Sequence, residues 1–167
     1  PIWERIPEHQ RAIAANSVAS SMYSSEKISQ ALSVLEDAIR NDVHSPDLYF
    51  NYFQALQAAK RSHEAVEIYN KAVKMNPELA LFPPEKYKMT GIIGHGGMGI
   101  VYKANWIEKN LPVAIKVLLL PEEWYPGARE RFLQAARSAT ALKHPNIVCV
   151  HGIHNEHTDY PCMVMEY

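Results

Sequence analysis

Apolar positions in the first half of the chain recur at helical spacing. Ala31, Leu35, Ala38 and Ile39 form one stripe, and Ala65, Ile68, Tyr69 and Ala72 form another, the signature of helices with one buried face. Local punctuation supports the same elements. Ser45-Pro46 followed by Asp47 predicts a helix start with proline in its first turn, Ser62 ahead of Glu64 and Ala65 predicts a second start, and Asn76-Pro77 predicts a stop. From Tyr87 the period changes to two. Tyr87, Met89 and Ile92-Ile93, then glycines, then Ile100 to Ala104, predict strand, glycine-rich turn, strand, and Val113 to Leu118 predicts a further apolar strand carrying one charge, Lys116.

Composition sharpens this division. Of the seven glycines, five lie within Gly91 to Gly99 and none lies in residues 1–90. Two consecutive prolines, Pro83-Pro84, cannot continue a helix and hold the chain extended, which predicts a helical domain over 1–84 and a second domain over 85–167. The 17 Lys and Arg balance 18 Asp and Glu, with 8 basic and 10 acidic residues before the boundary and 9 and 8 after it. That balance excludes a polybasic nucleic-acid arm and an acidic tail, so no nucleic-acid partner is expected. No apolar run approaches the roughly 18 residues of a membrane span. Two cysteines make no disulfide framework, and the expectation is a cytoplasmic protein without a membrane segment.

The helical half repeats itself. Ala31, Leu35 and Ala38 recur as Ala65, Tyr69 and Ala72 after 34 residues, and Ala15, Val18 and Met22 align with Tyr49, Tyr52 and Leu56. A fixed 34-residue period of two helices resembles the tetratricopeptide repeat, with a departure at Phe53, where that family usually has glycine. The alternative is two generic amphipathic hairpins. The resemblance implies a two-repeat α-helical module that recruits a protein substrate or regulator through Asn16, Ser20, Tyr23, Phe50, Gln54 and Gln57. It offers no Lys/Asn clamp for a carboxylate terminus. Residues 3–10 read as the end of an earlier repeat, and Leu79 to Phe82 as a cover for the last apolar face.

In the second half, Gly94-His95-Gly96-Gly97-Met98-Gly99 spells G-x-G-x-x-G. In a dinucleotide fold this motif must open a helix, but here it opens a β-branched run, so that reading fails on context. Glycines let a backbone approach a polyphosphate and present bare N–H groups, and a nearby lysine adds a compact positive charge. Lys116 lies 17 residues beyond Gly99 and shares a strand face with Ala114 and Leu118.

Ile93-Gly94-x-Gly96-x-x-Gly99-x-Val101, followed by Val113-Ala114-Ile115-Lys116, resembles the amino-terminal lobe of a protein kinase. The similarity continues through a helix from about Arg129 to Leu142, the phrase His144-Pro145-Asn146-Ile147-Val148, a strand to about Ile153, and Met163 to Tyr167. Gly96-Gly97-Met98-Gly99 with His-Pro-Asn-Ile-Val is most similar to Ser/Thr kinases of bacterial type. The expected fold is therefore α+β: the helical repeats, then a five-stranded antiparallel kinase N-lobe with one long helix. The resemblance implies that Ile93 and Val101 sandwich the adenine of ATP and that Gly94, His95, Gly96, Gly97, Met98 and Gly99 cover its phosphates. Ala114 would line the base pocket, Lys116 would hold the α- and β-phosphates, Met165 would stand at the gatekeeper position, and Glu166 and Tyr167 would begin the hinge.

Two departures qualify the expected activity. The family carries a glutamate nine residues before the histidine of His-Pro-Asn to pair with the strand lysine, and here that position is Ala135. Glu130 lies five residues earlier, about 140° around a helix, and Gln134 is neutral. A pseudokinase or protein-interaction scaffold is therefore the alternative to an ATP-dependent Ser/Thr kinase. In addition, neither a His-Arg-Asp catalytic loop nor an Asp-Phe-Gly metal site occurs before Tyr167. The expectation is a fragment that is not catalytic by itself, with its Mg2+ ligands downstream. His151, His154 and His157 between Cys149 and Cys162 could ligate zinc, but spacing of three along a strand does not converge on one point. His144 is expected to cap the turn after the helix. Pro121 to Gly127, with Trp124 and Tyr125, reads as a connecting segment packed on the lobe.

Overall fold

The computed structural model describes residues 5–24, 27–41, 44–119, 125–155 and 160–167. Contacts divide the chain into two compact units, Pro1–Leu79 and Ala80–Tyr167. Among the described residues, no helix is long and apolar enough to cross a membrane.

The first unit is built from four helices, α1 (Glu8–Ser24), α2 (Ile28–Arg40), α3 (Pro46–Ala58) and α4 (Ser62–Met75), and ends in a 3-10 turn at Pro77–Leu79. Pro46 occupies the first turn of α3 and Asn76 caps the end of α4, as the punctuation predicted. α2 and α4 begin 34 residues apart, at Ile28 and Ser62. Residues 8–10 form the first turn of α1 rather than the end of an earlier repeat.

Packing follows the small and large positions of the sequence. Ala15, Ala19, Ala31, Ala38, Ala65 and Ala72 have no exposed surface, so helix backbones approach closely while Leu35, Tyr49, Leu56 and Tyr69 fill the space between them. Phe53 is 1% exposed, with its ring centroid 5.0 Å from that of Tyr69. The larger side chain is thus accommodated as core. Val18, aligned with the buried Tyr52, stays 43% exposed. On the face expected to recruit partners, Phe50 is buried, Gln54 is exposed, Gln57 is half-buried, and the half-buried Asn16 leaves its Oδ1 without a hydrogen bond. The side chains of Met22, Ser20 and Tyr23 lie outside the described ones.

A polar network joins α2, α3 and the start of α4. Glu36 Oε1 accepts hydrogen bonds from Tyr52 Oη and Arg61 Nη1, both at 3.0 Å, and Arg61 also grips Glu64. Burial, and after it the Glu36 carboxylate, pushes the Tyr52 phenol up to about 12. The hydroxyl therefore remains a donor at neutral pH.

The second unit is a five-stranded antiparallel sheet with one helix. Its elements are β1 (Tyr87–Gly96), β2 (Gly99–Trp106), β3 (Leu111–Leu118), α5 (Ala128–Thr140), β4 (Val150–His154) and β5 (Cys162–Glu166), in sheet order β1-β2-β3-β5-β4. Trp124 and His157 lie outside the described residues, and Tyr125 is half exposed. The outermost strands β1 and β4 meet, because Tyr87 Oη lies 3.2 Å from His154 Nε2 and the two rings pack edge to face, and Trp106 at the end of β2 packs its ring on His151 of β4. The sheet is therefore curled around its inner face, where Met89, Tyr102, Ile115, Val117 and Val164 are buried. Phe82 enters this core, 1% exposed, with its ring against Tyr87 and Tyr102. The opposite face is partly covered by α5, whose Phe132 and Leu133 pack with Leu118, Ile153 and Met163.

The glycine-rich stretch differs from the predicted turn. β1 runs through Gly94, His95 and Gly96, Gly96 pairs with Gly99, and the turn is confined to Gly97-Met98. Cross-strand pairing overrides the weak strand propensity of glycine there. His144 closes the turn after α5 as expected, its Nδ1 accepting the Asn146 N–H at 3.1 Å.

Candidate nucleotide site

Register assembles the site from strands far apart in sequence. Directly paired residues share a sheet face, and two cross-strand rows result on the face that α5 partly covers, α5 packing at its Leu118 and Met163 end. One row is Gly94, Val101, Lys116 and Met163, and the next is Gly91, Lys103, Ala114 and Met165. Val101, Lys116 and Met165 are half-buried, and Ala114 is buried at 7% exposure.

The other predicted residues surround these rows. Ile93 sits at the irregularity between Ile92 and Gly94 and is 49% exposed, and Met98 at the hairpin tip is equally exposed. His95 pairs with Ile100, on the other face from Gly94, and its side chain is exposed. Glu166 does not point along the face of these rows. Its Oε1 accepts the Cys149 N–H at 2.8 Å, while its own N–H donates to the Cys149 carbonyl. Tyr167 is 64% exposed, and the Lys103 ammonium lies 3.8 Å from its ring centroid. Sequence reasoning missed Lys103 and Gly91. The available signal was that Lys103 follows Val101 at a spacing of two.

The glycines separate into two kinds. A Cβ on Gly99 would fall 1.9 Å from the Val117 carbonyl oxygen, so β2 and β3 themselves demand glycine. A Cβ on Gly94 or Gly97 would meet nothing within 4 Å, and one on Gly96 would make only an ordinary contact at 3.7 Å. Nor do these positions need left-handed backbone, since the glycine with positive φ is Gly127. Folding therefore gives no steric reason for glycine at 94, 96 or 97. A bare backbone beside a fixed ammonium fits a polyphosphate.

The same residues offer nothing to a divalent cation. Among the described residues no group of three His, Cys, Asp or Glu could hold a metal ion. Cys149 Sγ and His151 Nδ1 are 4.0 Å apart, whereas His154 faces Tyr87 and Cys162 is buried. Burial pushes the Cys162 thiol up to about 12, so it stays protonated at neutral pH.

α5 presents Ala135 exposed at the position of the expected carboxylate. The single acid of this helix, Glu130, lies 3.3 Å from Arg137 on the surface.

A lobe of five antiparallel strands with one helix, a glycine hairpin and a lysine on its third strand defines the class. Residues 87–167 match the family described as protein tyrosine and serine/threonine kinase. Over 85 residues, 49% of this chain and 12% of the relative, the sequence is 40% identical to the serine/threonine-protein kinase PrkC of Bacillus subtilis. It is 37% identical over 86 residues to the serine/threonine-protein kinase PknB of Mycobacterium leprae, covering 50% of this chain and 14% of the relative. A probable serine/threonine-protein kinase of Streptomyces coelicolor is 35% identical over 85 residues, covering 49% and 13%. The matched stretch is similar to the N-lobe region of protein kinases, and these relatives are Ser/Thr protein kinases. The chain spans between 12% and 14% of the length of these relatives.

Proposed function

We propose that residues 85–167 form the ATP-binding part of a Ser/Thr protein kinase, and that the helical unit is a tetratricopeptide-like module recruiting a protein substrate or regulator. The observation that carries the nucleotide reading is the sterically open glycine hairpin set beside Lys116 in one cross-strand row. ATP supplies a transferable γ-phosphoryl group and a polyphosphate that calls for nearby positive charge. Lys116 would hold the α- and β-phosphates, and the N–H groups between Gly94 and Gly99 would line them. Val101 and Ala114 would contact the base, with Met165 behind it and the backbone at Glu166 and Tyr167 along its edge. Mg2+ would take its protein ligands from elsewhere in the complete protein. For the helical unit, the support is the 34-residue offset between α2 and α4 and the alanines buried at matching positions.

The test is calorimetric titration of Mg-ATP into the complete protein. Wild type binds, and Lys116→Met weakens binding about tenfold or more, the usual worth of a hydrogen bond to a charged group. No binding by wild type removes the reading.

A second reading, a pseudokinase scaffold, is favoured by Ala135. With no carboxylate on α5 to aim it, Lys116 keeps its charge but loses the partner that kinase activity requires. Phosphoryl transfer by the complete protein is then slow and rises in Ala135→Glu. Fast turnover by wild type, with none gained in the variant, sinks this second reading.

A further inference from the structure

The glycine at position 91 has no part in the phosphate reading, and its surroundings explain it. Gly91 pairs with Lys103, and a Cβ added at Gly91 would come within 3.3 Å of the Lys103 Cβ and 3.9 Å of its Cδ. The lysine stem therefore lies against the bare backbone of β1. Its head points the other way along the row. Lys103 on β2 is directly opposite Ala114 on β3, Ala114 is opposite Met165 on β5, and Tyr167 follows Met165 by two residues. With its ammonium 3.8 Å from the Tyr167 ring centroid, Lys103 links β2 to the residue that follows β5, and Ala114 of β3 stands between their positions in the cross-strand row. Ala114 is buried although its row-mates Lys103 and Met165 are half-buried on the same face.

We propose that Lys103 and Tyr167 form a strap across the base end of the nucleotide face, which a purine base must displace in order to bind. This rests on the nucleotide reading above. The base would pack on Ala114, and the strap occupies that surface. A cation over an exposed aromatic ring is a weak contact, so the strap competes with the base without excluding it. It makes occupancy of the site depend on a contact that the phosphates do not touch. Gly91 is then glycine because the paired strands bring the Cβ of residue 103 within 3.3 Å of where its own would stand, whereas Gly94 and Gly97 are glycine for a group that arrives from outside.

The experiment uses the complete protein with 13C-labelled lysine and adenosine as the probe, since adenosine carries no phosphate to engage Lys116. In the ligand-free protein the ε-methylene protons of Lys103 are shifted upfield by the Tyr167 ring, and Tyr167→Leu abolishes the shift. Saturating adenosine also abolishes it, and Lys103→Met binds adenosine about two- to fivefold more tightly than wild type. An absent upfield shift in the ligand-free protein overturns the strap. So does a shift that persists at saturation, or a Lys103→Met variant that binds adenosine no better than wild type. If the shift is present but neither adenosine nor Mg-ATP binds to any form, the nucleotide reading fails and the strap's role falls with it, a result distinguishable from all the others.

Discussion

Both units depend on small residues, but they use smallness differently. In the helical unit the buried alanines have no exposed surface, and their size is consumed by helices packed against one another. In the sheet unit Gly94 and Gly97 face open space on the side where a Cβ would stand, and Gly96 is nearly as free. Smallness that the fold uses is a packing requirement. Smallness that the fold leaves unused, beside a half-buried lysine, points to something that comes and goes. Gly99 is the control within the hairpin itself, because it belongs to the same motif and is nonetheless demanded by the Val117 backbone.

Substitutions at these small and large positions should have unequal effects. The largest effect is expected in the helical core, where Phe53→Ala removes a side chain packed on Tyr69 and should cost about 3–5 kcal/mol in denaturant unfolding of the complete protein. Gly99→Ala forces a methyl group into the Val117 carbonyl and should cost about 1–3 kcal/mol or more. Gly94→Ala should change stability by less than about 1 kcal/mol while weakening Mg-ATP binding. Equal destabilisation by Gly99→Ala and Gly94→Ala would erase the distinction between the two kinds of glycine.

Alkaline titration should separate the units more gently. The Cys162 thiol is held near 12 against an ordinary 9, so its contribution is complete below about pH 9 and is lost as pH rises towards 12. The Tyr52 phenol is held near 12 against 10, so the helical unit loses its contribution only between about pH 10 and 12. Cys162→Ala should flatten the first loss and Tyr52→Phe the second, as followed by thermal unfolding across pH.

Much of the architecture was legible because its determinants are local. Pro46, Ser62 and Asn76 mark helix ends through backbone rules that act within one turn, and the buried alanines advertise themselves by their 34-residue recurrence. The candidate site was legible in its members, since a glycine motif and one charge in an apolar strand stand out against their neighbours. What was not legible arises from pairing over long sequence distances. Strand continues through Gly94 to Gly96 because β2 imposes the ladder. Phe82 joins the sheet core through Tyr87 and Tyr102, and the hydrogen bond between Tyr87 and His154 links residues 67 apart. Beyond its spacing of two from Val101, Lys103 carries no signal in the sequence, because a lysine on a strand is ordinary and only the register sets it between Gly91 and Ala114.

On the proposed reading, the open glycines and Lys116 together serve a polyphosphate. Its most direct test is to compare ATP, with Mg2+, and adenosine by calorimetry on the complete protein, in wild type and in Lys116→Met. Wild type should bind ATP more tightly than adenosine, and the variant should lose most of that preference while binding adenosine as before. Equal affinity of wild type for the two ligands, or an ATP preference that survives the loss of the Lys116 ammonium, would contradict it.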